Sequence, residues 1–223
     1  MRPFWIGIMP LALLAACAHS PAPAPSTTTR ATADNAAVNP ANIKRVVRDL
    51  PPGYEVTTGI PSGASPRVIW SLEADARADP PRCAALADPG NGREPTAQGF
   101  SASGAGGIVN AVVVTLPAPV RLDRGVVGAC GRWTMSDGHT AATVRLVDAP
   151  HIEGAETLGM VTDTKSSVES GTEIDSRAYT FTAYLGNYYA FTTLTTDPGS
   201  ALPALPPQFV ADLLVKTVST LRG

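Results

Sequence analysis

The sequence predicts an α+β fold: a single domain whose largely antiparallel sheet carries helices packed on one face. Three observations lead there. Short β-branched and aromatic runs, separated by Gly-rich turns, recur from residue 96 to residue 195, the pattern of hairpin-linked strands. Two segments with one-face apolar spacing bracket them, at 40–50 and 209–221. The clearest hairpin comes late: 178–185 and 188–195 flank Gly186-Asn187, a pair suited to the positive φ of a tight turn.

The chain begins with export chemistry rather than with the domain. One positive charge, Arg2, precedes an apolar run from Phe4 to Ala18 that is interrupted by Gly7 and Pro10. That run is short of the ~20 residues a membrane-spanning helix needs. It ends in Leu14-Ala15-Ala16-Cys17, small residues before a cysteine, which is the lipobox of a bacterial lipoprotein. An ordinary secretory signal cut near Ala16 or Ala18 is the competing reading. The expectation is that residues 1–16 are a signal peptide and that Cys17 is lipidated. More than one acyl chain on Cys17 meets the requirement of stable anchoring for two membrane signals. Residues 17–38 form a Pro/Thr/Ala-rich tether, in which Pro21, Pro23 and Pro25 favour extended geometry. Residues 39–223 form the extracytoplasmic domain, and the expected location is the outer face of a cell membrane.

Within the domain, Asn39 can cap a first helix and Pro40 suits its first position. Ile43, Val46, Val47 and Leu50 lie on its inner face, and Lys44, Arg45 and Arg48 on its outer one. Pro51-Pro52-Gly53 stops it. Tyr54 to Ile60 is a short strand with Pro61-Ser62-Gly63 as its turn, and Val68 to Leu72 is strand or helix. Asp79 before Pro80-Pro81 reads as the cap of a short helix carrying Cys83, Leu86 and Ala87. Thr96 to Ser103 and Ile108 to Leu116 are paired strands, with Val112-Val113-Val114 buried on both faces. Val120 to Ala129 is a connection, with helix allowed, that delivers Cys130. Gly131 to Ser136 and Thr140 to Val147 pair across Asp137-Gly138. Ala155 to Thr162 and Val168 are weaker strand candidates. After the breaker Leu202 to Pro207, residues 209–221 bury a stripe of Phe209, Val210, Leu213, Leu214, Thr217, Val218 and Leu221.

Composition narrows function mainly by exclusion. The formal net charge of −2 becomes more acidic once Arg2 leaves with the signal, which argues against a nucleic-acid role. Beyond Cys17 only Cys83 and Cys130 remain. In an oxidising compartment two cysteines in one exported domain most simply form a disulfide, worth ~4 kcal/mol on the chain-entropy model. His139 follows a turn and His151 follows Pro150, positions of exposed loop histidines rather than metal ligands. Gly99-Phe100-Ser101-Ala102-Ser103 misses the nucleophile elbow at its last position. Gly104 to Gly107 lacks the Lys-Ser/Thr of a P-loop, and Glu153 and Glu156 flank Gly154 as loop charges. No catalytic residue, metal site or cofactor is therefore assigned.

Several residues carry a family resemblance: Pro80-Pro81-Arg82-Cys83 at a helix start, Cys130 before the strand residue Trp133, and the Gly186-Asn187 hairpin ahead of a C-terminal helix. On these the chain resembles mycobacterial lipoproteins of uncharacterised function and, more distantly, the extracellular sensor domains of PknH-type serine/threonine kinases, over roughly residues 40–223. The resemblance implies a sheet with helices around a ligand-receiving cleft. Those kinase domains carry two disulfides, whereas this chain has cysteines for one, and no functional residue transfers. The expected function is a non-enzymatic binding or sensor module for a hydrophobic envelope molecule. The alternative is a structural lipoprotein that docks another envelope protein. The candidate ligand-binding residues are Tyr179, Phe181, Tyr188 and Phe191 of the last hairpin with Phe209 and Leu213 of the terminal helix. An open cleft lined by them favours binding, and a closed core favours docking.

Overall fold

Antiparallel pairing of β-branched segments is the largest regular component of the described chain. The structure is a computed structural model that describes residues 37–59, 64–167 and 172–223. Cys17 and the rest of the signal and tether up to residue 36, the turn at 60–63 and Val168 lie outside the described residues. The described residues form one compact unit. The strands are β1 (Glu55–Thr58), β2 (Arg77–Asp79), β3 (Thr96–Gly104), β4 (Gly107–Thr115), β5 (Arg132–Ser136), β6 (Thr140–Val147), β7 (Glu156–Ser167), β8 (Glu173–Leu185) and β9 (Tyr188–Thr196). They make one sheet in the order β1-β3-β4-β9-β8-β7-β6-β5-β2, with every neighbour antiparallel.

Because side chains alternate across a strand, the sheet has two apolar faces, and each is covered. On one face lie a 3-10 helix, Pro40–Asp49, and α4 (Pro207–Arg222). Asn39 caps the first as expected, its side chain accepting from the Ala41 N–H at 3.1 Å. Ile43 and Val46 of that helix join Val210, Leu213, Leu214, Val218 and Leu221 of α4 against Ala111, Val113, Phe181 and Leu194. Phe209 stays half-buried at the edge of the stripe.

The opposite face is covered by short pieces: α1 (Pro66–Ile69), a 3-10 turn at Pro81–Cys83, α2 (Ala84–Ala87) and α3 (Arg124–Ala129). Val68 to Leu72 therefore resolves to the end of a helical turn. Trp70 is buried there and donates its indole N–H to Thr180 Oγ1 at 3.0 Å. Cys83 and Cys130 are bonded, with Cα atoms 5.7 Å apart, so the disulfide joins the 3-10 turn to the end of α3. Arg67 and Asp88 tie α1 to the end of α2 at 2.8 Å, both side chains largely shielded. Val112 and Val114 pack on this face while Val113 packs on the other.

Two expectations need correction. Asp79 does not cap a helix: it ends β2, paired with Thr134, and the Asp79–Pro80 peptide is cis. A residue before proline is driven to extended geometry, which suits an edge strand and not a helix start. The strands β7 and β8 also run well beyond Ala155 to Thr162 and Ala178 to Leu185. Their extensions hold charged residues in place of an apolar alternation. Cross-strand pairs there join Asp163 to Arg177 at 2.6 Å and Lys165 to Asp175 at 3.0 Å.

Candidate functional site

The register of the last hairpin decides where its aromatic residues point. Leu185 pairs with Tyr188 across Gly186-Asn187, so Tyr179 pairs with Leu194, and Phe191 pairs with Thr182. Gly186 supplies the positive φ, +70°, that the turn requires. Tyr179, Phe181 and Tyr188 consequently face α4, whereas Phe191 faces the disulfide side, fully buried and stacked on Tyr189 with ring centroids 6.3 Å apart. The alternation across Gly186-Asn187 was the sequence signal that separates Phe191 from the others.

The remaining five candidates also divide. Tyr179 and Phe181 line a cleft of about 460 Å³ with Arg145, Val147, Val161 and Ala211 among its walls. Phe209 and Leu213 line a different, smaller depression of about 330 Å³ beside Asp49 and Lys216. Tyr188 is half-buried at the turn end of β9. The structure thus brings Tyr179 and Phe181 together in one cleft and Phe209 and Leu213 in another, and places Phe191 in closed core.

The cleft exists because the helices on its face stop short. α4 packs over β8 and β9, and the N-terminal 3-10 helix over β3 and β4. The same face of β5 and β6 carries Arg132, Thr134, Ser136, Ala141 and Arg145, all exposed. The first turn of α4 forms one wall and the outward residues of β6, β7 and β8 form the floor. Sequence reasoning missed Arg145, Val147 and Val161 because their place beside Tyr179 depends on the β6–β7–β8 register: Arg145 opposes Val161, and Val161 opposes Tyr179.

A second cleft, about 810 Å³, opens at the far end of the sheet. Ile108, Ile174 and Leu202 line it while remaining 44 %, 53 % and 59 % exposed. Three large apolar side chains are thus left in water around one hollow.

The titrating groups offer little chemistry. The Tyr184 and Tyr189 phenols are pushed up by burial, with Glu156 and Asp88 respectively adding to the effect, so both stay protonated. Tyr189 donates to the Ala64 carbonyl. Ser101 sits mid-strand opposite Asn110. Glu156 is paired with Arg124 at 3.0 Å, and His139 and His151 are exposed. Among the described residues no three His, Cys, Asp or Glu side chains gather as a metal site, and no helix is long and apolar enough to cross a membrane.

The fold and clefts define an α+β domain built on one two-faced antiparallel sheet with open hollows on its surface. The chain belongs to the family described as a domain of unknown function, DUF5642, whose profile matches residues 39–222. Among solved structures it is similar to an uncharacterised Mycobacterium smegmatis protein, the Rv0999 ortholog. The identity is 21 % and the TM-score 0.63, covering 86 % of this chain and all of that one. It is also similar to the extracellular domain of PknH from Mycobacterium tuberculosis, at 12 % identity and TM-score 0.42, over 82 % of this chain and 91 % of that one. The expected likeness to a mycobacterial protein of uncharacterised function is met in the fold of the first. No curated protein matches the sequence.

Proposed function

We propose that this protein is a non-enzymatic, extracytoplasmic binding module, anchored through lipid on Cys17, that holds a hydrophobic or amphipathic molecule of the cell envelope. The observation that carries this reading is the cleft at the α4 edge. Tyr179 and Phe181 line it with Val147, Val161, Pro150 and Ala211, and Arg145, Asp148 and Gln208 supply polar groups beside them, a mixture suited to an amphipathic molecule. Rigid rings supply contact area with little conformational entropy to lose. Lipid extraction and native mass spectrometry of protein purified from its own host test it: a stoichiometric, non-covalently bound amphiphile supports the reading, and protein carrying nothing beyond its covalent lipid overturns it.

The second reading, a lipoprotein that docks another envelope protein, draws on Ile108, Ile174 and Leu202 at the far cleft. A photo-crosslinking residue at position 202 that captures one defined protein, together with an empty lipid extract, selects that alternative.

A further inference from the structure

Arg132 and Arg145 stand directly opposite each other on β5 and β6. Both are exposed, and among the described residues neither enters an ion pair. Directly opposed side chains in an antiparallel pair have Cβ atoms about 5 Å apart, where like charges destabilise the sheet. The neighbouring row treats its charges differently: Asp163 opposes Arg177 and holds it at 2.6 Å. The row through Arg132 and Arg145 continues instead to Val161 and Tyr179. Arg145 therefore lines the cleft under α4, and Arg132 stands directly beside it, one strand further from α4.

We infer that Arg132 and Arg145 form the headgroup subsite of this cleft, which takes an anionic amphiphile: an acyl chain or ring system against Val161, Tyr179 and Phe181, with its carboxylate or phosphate on the two guanidinium groups. The assignment rests on the binding function proposed above and names its ligand class. Guanidinium groups match planar carboxylate and tetrahedral phosphate oxygens through paired N–H donors. An anion between them removes the repulsion that the empty sheet carries, so charge complementarity selects this occupant over a neutral lipid. Asp148 also lines the cleft, just past the end of β6 and unpaired with Arg145. It opposes an anion there, and the two arginines outweigh it.

Fluorescence titration of the full-length Cys17→Ala protein with parinaric acid and with its methyl ester tests the assignment. The acid is expected to bind at least about tenfold more tightly than the ester. Arg132→Gln with Arg145→Gln abolishes that preference without weakening the ester, and Asp148→Asn strengthens the acid. The doubly substituted protein should melt at or above the temperature of the parent, which separates lost recognition from lost folding. Displacement by lysophosphatidate more strongly than by a free fatty acid assigns the phosphate, and the reverse order assigns the carboxylate. Equal binding of acid and ester overturns the arginine subsite and leaves the binding function standing. Binding of neither probe overturns the subsite, and an empty extract from the host protein then removes the wider reading as well.

Discussion

Asp137 holds three points of the backbone with one carboxylate. Its Oδ1 accepts from the His139 and Thr140 N–H groups at 2.9 and 2.7 Å, and its Oδ2 from the Glu73 N–H at 2.8 Å. Burial alone would raise its pKa, but the three backbone donors, with His139 adding to them, outweigh it and leave the group below its ordinary value of 3.8. A depressed carboxylate stabilises the fold above the unfolded pKa, and that contribution disappears as pH falls through the folded value. Asp137→Asn should therefore lower Tm at pH 7 by a difference that shrinks as the pH falls progressively below 3.8, and thermal melts of both proteins across that range check it. The same residue explains why the arginine pair was not legible. Strands ending at Ser136 and beginning at Thr140 would set Arg132 opposite Val144. With Asp137 bonding the Thr140 N–H and its own N–H bonded to the Thr140 carbonyl at 3.2 Å, Ser136 pairs with Ala141 instead. That shift of one residue brings Arg145 to Arg132.

Among the elements, those with a strong period were legible and those without one were not. The 3-10 helix at Pro40–Asp49, α4, and the hairpins β3–β4, β5–β6 and β8–β9 all follow from capping, apolar spacing or turn residues. The layer over the disulfide face does not, since α1, α2 and α3 have at most six residues each. Helices so short cannot show a 3.6-residue stripe, and they are unstable alone. They depend on Trp70, on the Arg67–Asp88 pair and on the Cys83–Cys130 bond. Cys83→Ser should destabilise the domain by ~2–5 kcal/mol, read as a shift in denaturant midpoint, and reductant should then have no further effect. On the opposite layer Leu214 is fully buried between α4 and the sheet. Leu214→Ala should cost ~2–5 kcal/mol, and a loss below that range would mean that α4 is not fixed as the cleft wall. The six candidate aromatic and aliphatic residues were legible as apolar but not as a group, because grouping them requires the sheet faces and the point where α4 begins.

At the scale of the whole domain, the described chain joins the sheet at one end of α4 and the cleft opens at the other. The Asn39 N–H donates to the Leu221 carbonyl at 2.8 Å, and the Asn42 side chain donates to the Thr220 carbonyl at 3.1 Å. Residue 39 is therefore fixed beside the last turn of α4. The cleft lies at the first turn, with Pro207 and Gln208 on its wall. At 1.5 Å per residue the 16 residues of α4 separate the two ends by ~24 Å. Among the described residues the cleft lining comes from β6, β7, β8, the segment just after β6 and the start of α4, and anchoring at Cys17 is expected to be separable from binding there. Cys17→Ala should move the protein from the membrane fraction to the soluble or secreted one, while its melting temperature and its affinity for parinaric acid match those of the lipidated form. Fractionation followed by titration of both forms measures this. Unchanged membrane retention would remove the lipobox assignment, and a lost affinity would place part of the site in the tether.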